Sequence, residues 1–244
     1  MPEHKQNNIV CFGASALGFA LLGLLSVPIL AAEVRGAVSV QQGMFSDASG
    51  SVETDIPVSV ALFPGAGQPL PWRTSARHDV SLLNSEIEPL YLAFPRGDRV
   101  RFRNQGGVYH ELFAHSQRHP IELRLDRAGR GSESTLTLSD SADLHWFCRI
   151  HAKSYARIDV LDTPLVLMVR ADEPFEFSNL APGKWLLRVA APGADTRVLE
   201  VQALTAPPPL QVQLTVKGFG HHADGATPPQ GLAVEQLFPS QPGL

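Results

Sequence analysis

The sequence has few charged side chains, little lysine and only two cysteines, and each shortage excludes a class of protein. Charged residues make up 18% of the 244, and 24 acidic against 20 basic side chains leave a formal charge of −4. A chain without a basic excess lacks the field that binds phosphates, so we expect no nucleic-acid partner. Two cysteines, Cys11 and Cys148, exclude a disulfide framework as the main source of stability. Arginine carries nearly all the positive charge, since lysine occurs only at Lys5, Lys153, Lys184 and Lys217.

Glycine and proline are abundant, with 20 of each, which is typical of many short strands joined by turns. Alternating or β-branched runs recur between Val34 and Val216, and no helical period of any length follows Ala32. These patterns predict an all-β fold of antiparallel sandwiches. Residues 218–244 are predicted to be a disordered tail, because glycine and proline supply 9 of these 27 positions and apolar periodicity is lost.

Residues 1–32 have the pattern of an export signal. Lys5 provides a basic start, Ile9 to Ala32 carries no charge, and Pro28 precedes small residues at a cleavage site. The pattern predicts a periplasmic protein with no membrane span once the leader is removed. The uncharged stretch of 24 residues is long enough to act as a membrane anchor if it is retained. After cleavage, Cys148 is the only thiol in a compartment that oxidises thiols.

Three residues form the motif that indicates chemistry: His110, and Cys148 with His151 in a Cys-x2-His step. A thiolate and two imidazoles are a soft, trigonal donor set, which suits one mononuclear copper ion in an electron-transfer site. Zinc is less expected, since the same three ligands leave one tetrahedral position open. Asn104 is a candidate to support the ligands, because a side-chain amide can tie ligand loops together. The alternative is that the three residues are unrelated in space.

The surroundings of the motif resemble the cupredoxins. A Gly97-Asp98 turn opens a strand that ends in Phe102-x-Asn104 and is followed by His110, as in the first copper-ligand region of that family. Residues 136–160 resemble its second half, and residues 77–163 as a whole resemble plastocyanin-like proteins associated with methylamine utilisation. The resemblance implies a cupredoxin-like Greek-key β-sandwich at 76–163, with His110, Cys148 and His151 in the equatorial copper positions.

The sequence departs from this resemblance at Ser154. The similar proteins usually have a methionine three residues after the loop histidine as the axial ligand, and this chain has Ser154 there. Met44 and Met168 lie outside the loop. Because the axial bond is long and weak, its loss need not abolish copper binding but is expected to change the redox potential.

The flanks at 33–75 and 164–217 resemble carboxypeptidase-regulatory-like domains. Val34 to Val38 and Ile56 to Leu62 resemble their opening strands, and Phe175 to Val189 resembles a closing hairpin with a Pro-Gly turn. This predicts a second, discontinuous small β-sandwich into which the cupredoxin-like segment is inserted. The alternative is that the flanks extend one larger sandwich.

Two functional classes follow from these patterns. The first is an exported copper protein that passes single electrons to a redox partner protein, with apolar residues near the ligand loops as shielding or a docking patch: Phe113, Trp146, Phe147, Ile150 and Tyr155. The second is a metal-free binding or structural module in the periplasm. We do not expect an enzyme, because the sequence shows neither a nucleophile–base pair nor a glycine-rich phosphate loop. Three further histidines, His115, His119 and His145, are expected to have a surface or supporting role rather than to bind a metal.

Substitution Ser154→Met is predicted to change the redox potential of the copper-loaded protein. An empty axial position strengthens the thiolate bond and raises the parent's potential above that of the variant. An oxygen ligand from Ser154 or water favours the cupric form and lowers the parent's potential instead. Electrochemistry on both proteins distinguishes these cases, and equal potentials would contradict both.

Overall fold

The computed structural model describes residues 31–42, 55–114, 120–129 and 131–216. These residues form strands, turns and loops, with no helix among them, and the all-β prediction is confirmed. None of these residues forms a helix that could span a membrane. Most of the predicted leader and the tail from residue 218 lie outside the described residues, as do Met44, His115 and His119.

Sixteen strands occur in the described ranges. They are β1 (Ala32–Gln42), β2 (Pro57–Pro64), β3 (Arg77–Leu83), β4 (Glu86–Glu88), β5 (Tyr91–Pro95), β6 (Arg99–Asn104), β7 (His110–Ala114), β8 (Ile121–Leu125), β9 (Glu133–Thr137), β10 (Ala142–Cys148), β11 (Tyr155–Leu161), β12 (Leu165–Arg170), β13 (Pro174–Leu180), β14 (Gly183–Ala190), β15 (Arg197–Ala203) and β16 (Leu210–Val216).

The strands of the two flanks form a sandwich of their own. One sheet has the order β13-β1-β16 and the other β12-β2-β14-β15. Apolar residues of both sheets pack into one core around Trp185, which is 1% exposed. Ala32, the last residue of the predicted leader, is the first residue of β1 and is buried in this core.

The strands between the flanks form a second sandwich. A sheet in the order β5-β11-β10-β7-β8 packs against a sheet in the order β4-β3-β6-β9. Its core is centred on Trp146 of β10 and Phe102 of β6, whose ring centroids lie 4.5 Å apart. Alternation along β10 turns Leu144, Trp146 and Cys148 inward, which is the period of two that a half-buried strand requires. The domain boundaries at 33–75, 76–163 and 164–217 stay predictions.

The Gly97-Asp98 turn before β6 carries a buried carboxylate that is held by hydrogen bonds. Gly97 adopts a φ of 86°, which favours glycine. Asp98 follows it with no exposed surface and accepts two hydrogen bonds of 2.6 Å from Arg73. It also accepts from the Ala76 amide at 2.9 Å and contacts His78 Nε2 at 2.8 Å. Burial acts to raise the pKa of Asp98, but these hydrogen bonds hold that pKa below its ordinary value.

A buried polar network joins the two sandwiches. Tyr91 on β5 donates a 2.8 Å hydrogen bond to Asp159 on β11, and Ser59 on β2 lies 2.6 Å from the same phenol oxygen. Arg188 on β14 donates to Asp159 over 2.7 Å, and Arg157 lies 3.2 Å from the second carboxylate oxygen. Because these partners come from both sandwiches, the network fixes how the middle sandwich is seated on the flanking one.

Apolar packing surrounds this network and keeps water from it. Burial, and next the Asp159 charge, raise the pKa of Tyr91, so its phenol stays protonated and donates. The apolar residues at this junction are Ala61, Phe63, Ala93, Leu161 and Ala190.

Substitution Asp159→Ala is predicted to cost about 3–5 kcal/mol of unfolding free energy, because it leaves the buried Arg188 guanidinium without its partner. Urea unfolding followed by fluorescence measures this. Asp79→Ala is the matched control, since it removes an Arg101 partner from an exposed pair. We expect a much smaller change there. Equal losses in the two variants would contradict an interface held by the buried network.

Candidate metal centre

The pairing of β7 with β10 places two of the three motif residues together. Cys148 is the last residue of β10, and its cross-strand partner on β7 is Leu112. His110 begins β7, two residues before Leu112, so its side chain lies on the same inward face. His110 has no exposed surface and Cys148 is 6% exposed. The two side chains therefore meet at the end of the sandwich core.

His151 reaches the same point from the turn after β10. The Ser154 amide donates a 3.0 Å hydrogen bond to the His151 carbonyl, which closes a tight turn before β11 begins at Tyr155. Cys148 Sγ lies 3.6 Å from His110 Nδ1 and 3.5 Å from His151 Nδ1. The ligand atoms of all three residues lie within 4.8 Å of one another. The structure thus brings together all three residues of the sequence motif.

The electrostatics of the cluster favour a neutral ligand histidine. Burial lowers the pKa of His110, and the neighbouring His151 lowers it further. A neutral imidazole keeps a lone pair on one ring nitrogen, and Nδ1 is the nitrogen turned toward the sulfur. The other nitrogen, His110 Nε2, is buried and has no hydrogen-bond partner among the described residues.

The spacing of the donor atoms fits a bound metal ion. Metal bonds of about 2.3 Å to sulfur and about 2.0 Å to nitrogen, at trigonal or tetrahedral angles, separate the two atoms by about 3.6 Å. The two observed separations are 3.5 and 3.6 Å. The residues present therefore fit a metal held by one sulfur and two nitrogens.

Asn104 ties together the loops that lead to the site. Its Nδ2 donates to the Val108 carbonyl at 2.6 Å and to the Asp126 carbonyl at 2.8 Å. Its Oδ1 accepts from the Gly106 amide at 2.9 Å, and the side chain is buried at the end of β6. Since Val108 lies two residues before His110, Asn104 holds the segment that delivers this histidine.

Ser154 is buried, and its hydroxyl donates to the Ser85 carbonyl in the turn between β3 and β4. The contact joins the ligand turn to a residue 69 positions earlier in the chain. Ser85 has a φ of 69°, an unusual value for a residue other than glycine. The hydroxyl proton is therefore used to fasten the turn that carries His151.

A cleft of about 750 Å³ opens beside His151 and was not predicted from the sequence. Val108, Tyr109 and Ile150 on its wall are between 43% and 49% exposed. Arg124 lies over the Tyr109 ring, 5.5 Å from its centroid. Arg124 and Arg127 also line the cleft together with Asp126, so this largely apolar surface carries an excess of one positive charge. The sequence offered no signal for it, because the cleft combines residues from three separate loops and strands.

The remaining candidates lie elsewhere. His145 is half-buried on the opposite face of β10 from Trp146, where its Nδ1 lies 2.9 Å from the Tyr155 hydroxyl. Trp146 is fully buried in the core, so it belongs to the packing of the sandwich and not to a docking surface. Ile150, in contrast, is exposed. Met168 lies on β12 of the flanking sandwich.

No protein-family model matches the sequence, and no curated protein matches it. Among solved structures, a mutant amicyanin in its Cu(I) form is 15% identical, with 35% of this chain and 82% of that chain covered and a TM-score of 0.32. A second amicyanin mutant, in its reduced state, is 14% identical, with 42% and 98% covered and a TM-score of 0.32. A copper-containing nitrite reductase from Thermus scotoductus SA-01 is 18% identical, with 40% and 25% covered and a TM-score of 0.30. At these values the likeness does not establish a family, and the resemblance of the flanks to carboxypeptidase-regulatory-like domains stays a prediction.

Substitution Asn104→Ala is predicted to weaken metal binding by about 10- to 100-fold, because the segment before His110 loses its support. It also leaves two carbonyls and an amide without a partner, at a cost of about 2 kcal/mol in unfolding free energy. Competition titration with a metal chelator and urea unfolding measure the two effects. Gln105→Ala, at the exposed neighbouring position, is the control. An affinity unchanged by Asn104→Ala would contradict the supporting role.

Proposed function

We propose that this chain is an exported protein that binds one copper ion through Cys148 Sγ and the Nδ1 atoms of His110 and His151. Its role is to pass single electrons, with no catalytic reaction of its own. The observation that carries the proposal is the convergence of two imidazole nitrogens on one buried thiol, at separations that suit a bound metal. A bound copper ion supplies a one-electron couple at this position.

The donor set favours copper over zinc. A structural zinc site has four protein ligands. Among the described histidine, cysteine, aspartate and glutamate side chains, only His110, Cys148 and His151 make up this cluster. Thiolate is a soft ligand, and three soft or intermediate donors in a trigonal set are typical of copper electron-transfer sites.

The residues around the site would keep its geometry constant during electron transfer. Cys148 and His110 lie on hydrogen-bonded neighbouring strands, so their separation is set by the sheet. Asn104 fastens the segment before His110, and Ser154 fastens the turn that holds His151. A site that does not rearrange when the charge of the metal changes exchanges electrons at a lower reorganisation cost.

The partner of this electron transfer is proposed to be a protein that docks over His151. The cleft at this histidine is lined by apolar side chains and by Arg124 and Arg127, whose charges outnumber that of Asp126. A partner with an apolar centre and an acidic rim complements it, and opposite charges at a rim raise the association rate. The uncharged segment from Ile9 to Ala32 supports export, and we place the protein in the periplasm on that pattern.

A metal-free binding or structural module is the second candidate function. It is favoured by Ser154, which stands where the similar proteins have methionine and whose hydroxyl is engaged by Ser85. In this case the three motif residues would remain close together only through packing.

Addition of Cu(II) to the purified protein is predicted to give one bound copper per chain and an intense thiolate-to-copper band in the visible spectrum. Cys148→Ser removes the thiolate, so the band is lost. His145→Gln is the matched control, because His145 lies on the other face of β10 and should leave stoichiometry and band unchanged. Metal quantification and absorption spectroscopy measure both quantities.

The opposite result separates the two candidate functions. If the parent protein binds no stoichiometric copper, and copper does not change its unfolding midpoint, the electron-transfer proposal is wrong. The metal-free module then remains.

A further inference from the structure

A tyrosine, a histidine and an aspartate form a chain of contacts on the outward face of β10 and β11. The Tyr155 hydroxyl lies 2.9 Å from His145 Nδ1. His145 Nε2 lies 3.4 Å from an Asp143 carboxylate oxygen. Asp143 also accepts two hydrogen bonds from Arg157, at 2.8 and 2.9 Å. The three side chains therefore stand in the order phenol, imidazole, carboxylate.

The chemistry of these groups fixes the direction of their hydrogen bonds. An ionised carboxylate only accepts, so the imidazole proton belongs on Nε2, next to Asp143. Nδ1 is then an acceptor, and the Tyr155 hydroxyl donates to it. Burial acts to raise the pKa of Asp143, but His145 and Arg157 hold that pKa well below its ordinary value, so the carboxylate stays ionised. Burial raises the pKa of Tyr155 to about 12, so the phenol is protonated at rest.

Tyr155 is linked to the metal centre through a single aromatic residue. It is the cross-strand partner of Phe147, and the two ring centroids lie 5.4 Å apart. Phe147 is bonded directly to Cys148, whose sulfur belongs to the metal cluster. A short route of one ring and one peptide unit thus connects the phenol with the thiolate.

Tyr155 also lines a surface cleft that is separate from the one at His151. This cleft has a volume of about 540 Å³ and lies at the junction of the two sandwiches. Its wall carries the carboxylates of Asp55, Glu86 and Glu88 with one lysine, Lys153. It shares no lining residue with the basic cleft at His151. The two openings have opposite charge, and the acidic one attracts cations.

We propose that Tyr155, His145 and Asp143 form a proton-coupled electron relay. The relay connects the metal–thiolate centre with the acidic cleft, where small cationic one-electron oxidants can accept an electron. The relay rests on the proposed copper function. A cationic oxidant in the cleft takes one electron from Tyr155, and the phenolic proton moves to His145 Nδ1. The resulting imidazolium is stabilised by Asp143. Copper held by Cys148, His110 and His151 would supply the one electron that restores the phenol. The proton would return from His145 Nδ1 to the Tyr155 oxygen, so that in total one electron passes to the oxidant.

The first test uses the full-length Cys148→Ser protein without metal, so that the thiol does not compete for the oxidant. Tris(bipyridine)ruthenium(III), a cationic one-electron oxidant, is generated by a light flash, and the tyrosyl radical is followed by transient absorption and electron paramagnetic resonance. The chain has three tyrosines. We expect Tyr155→Phe to abolish the radical signal and Tyr109→Phe to leave it unchanged, although Tyr109 is 47% exposed.

The histidine is tested as the proton acceptor by His145→Gln in the same background. Removal of a positioned base is expected to slow radical formation by about a hundredfold. Unfolding curves and circular dichroism check that the fold is kept. A tyrosyl radical that persists in Tyr155→Phe overturns the relay. An unchanged rate of tyrosyl-radical formation in His145→Gln overturns it as well.

The second test uses the protein with Cys148 intact, loaded with Cu(I). After the flash we expect the thiolate-to-copper band of Cu(II) to appear, and Tyr155→Phe to slow its appearance while Tyr109→Phe does not. An equal rate in Tyr155→Phe shows that the relay does not reach the metal, even though copper binds. Failure of the protein to bind copper is seen in the preceding titration and overturns the proposed function itself, independently of the radical at Tyr155.

Discussion

The register between β7 and β10 determines the distance between Cys148 and His110. With Leu112 opposite Cys148, the inward faces of the two strands bring His110 beside the thiol at the edge of the core. A slip of one residue would turn every side chain of one strand to the other face and separate the thiol from the histidine. The register is held by apolar burial, since Trp146 and Leu112 occupy the same inward faces and are almost fully buried. Hydrophobic packing thus sets the distances of a polar site.

Two buried carboxylates, Asp98 and Asp159, fix the positions of loops and sheets through hydrogen bonds, which apolar packing alone does not do. Asp98 collects hydrogen bonds from the segment before β3 and so anchors the start of β6, which ends at Asn104. Asp159 accepts hydrogen bonds from Tyr91 and Arg188 and so positions the middle sandwich against the flanking one. Isolated buried carboxylates would be costly, so each is surrounded by donors, and the donors come from distant parts of the chain. The metal cluster and the Tyr155 relay both lie on sheets positioned in this way.

The sequence was sufficient for the class of the fold and for the identity of the clustered residues. Period-two alternation predicted the strands, and the Cys-x2-His step with a preceding histidine predicted which side chains meet. It was not sufficient for contacts made between strands that are far apart in the chain. Ser154 donates to the Ser85 carbonyl, 69 residues earlier in the chain. Tyr91 and Arg188 both donate to Asp159. Such pairs depend on how sheets pack, which local patterns do not encode. The face of His145 also became clear only from the pairing of β10 with β11.

Copper K-edge X-ray absorption on the copper-loaded full-length protein tests whether Cys148, His110 and His151 hold the metal, because it counts the atoms bonded to copper. We expect one sulfur neighbour and two imidazole nitrogen neighbours, which correspond to the converging Cys148, His110 and His151 donors. Loss of the sulfur neighbour in Cys148→Ser would follow from the same assignment. A spectrum of the parent protein that contains only nitrogen and oxygen neighbours would contradict it.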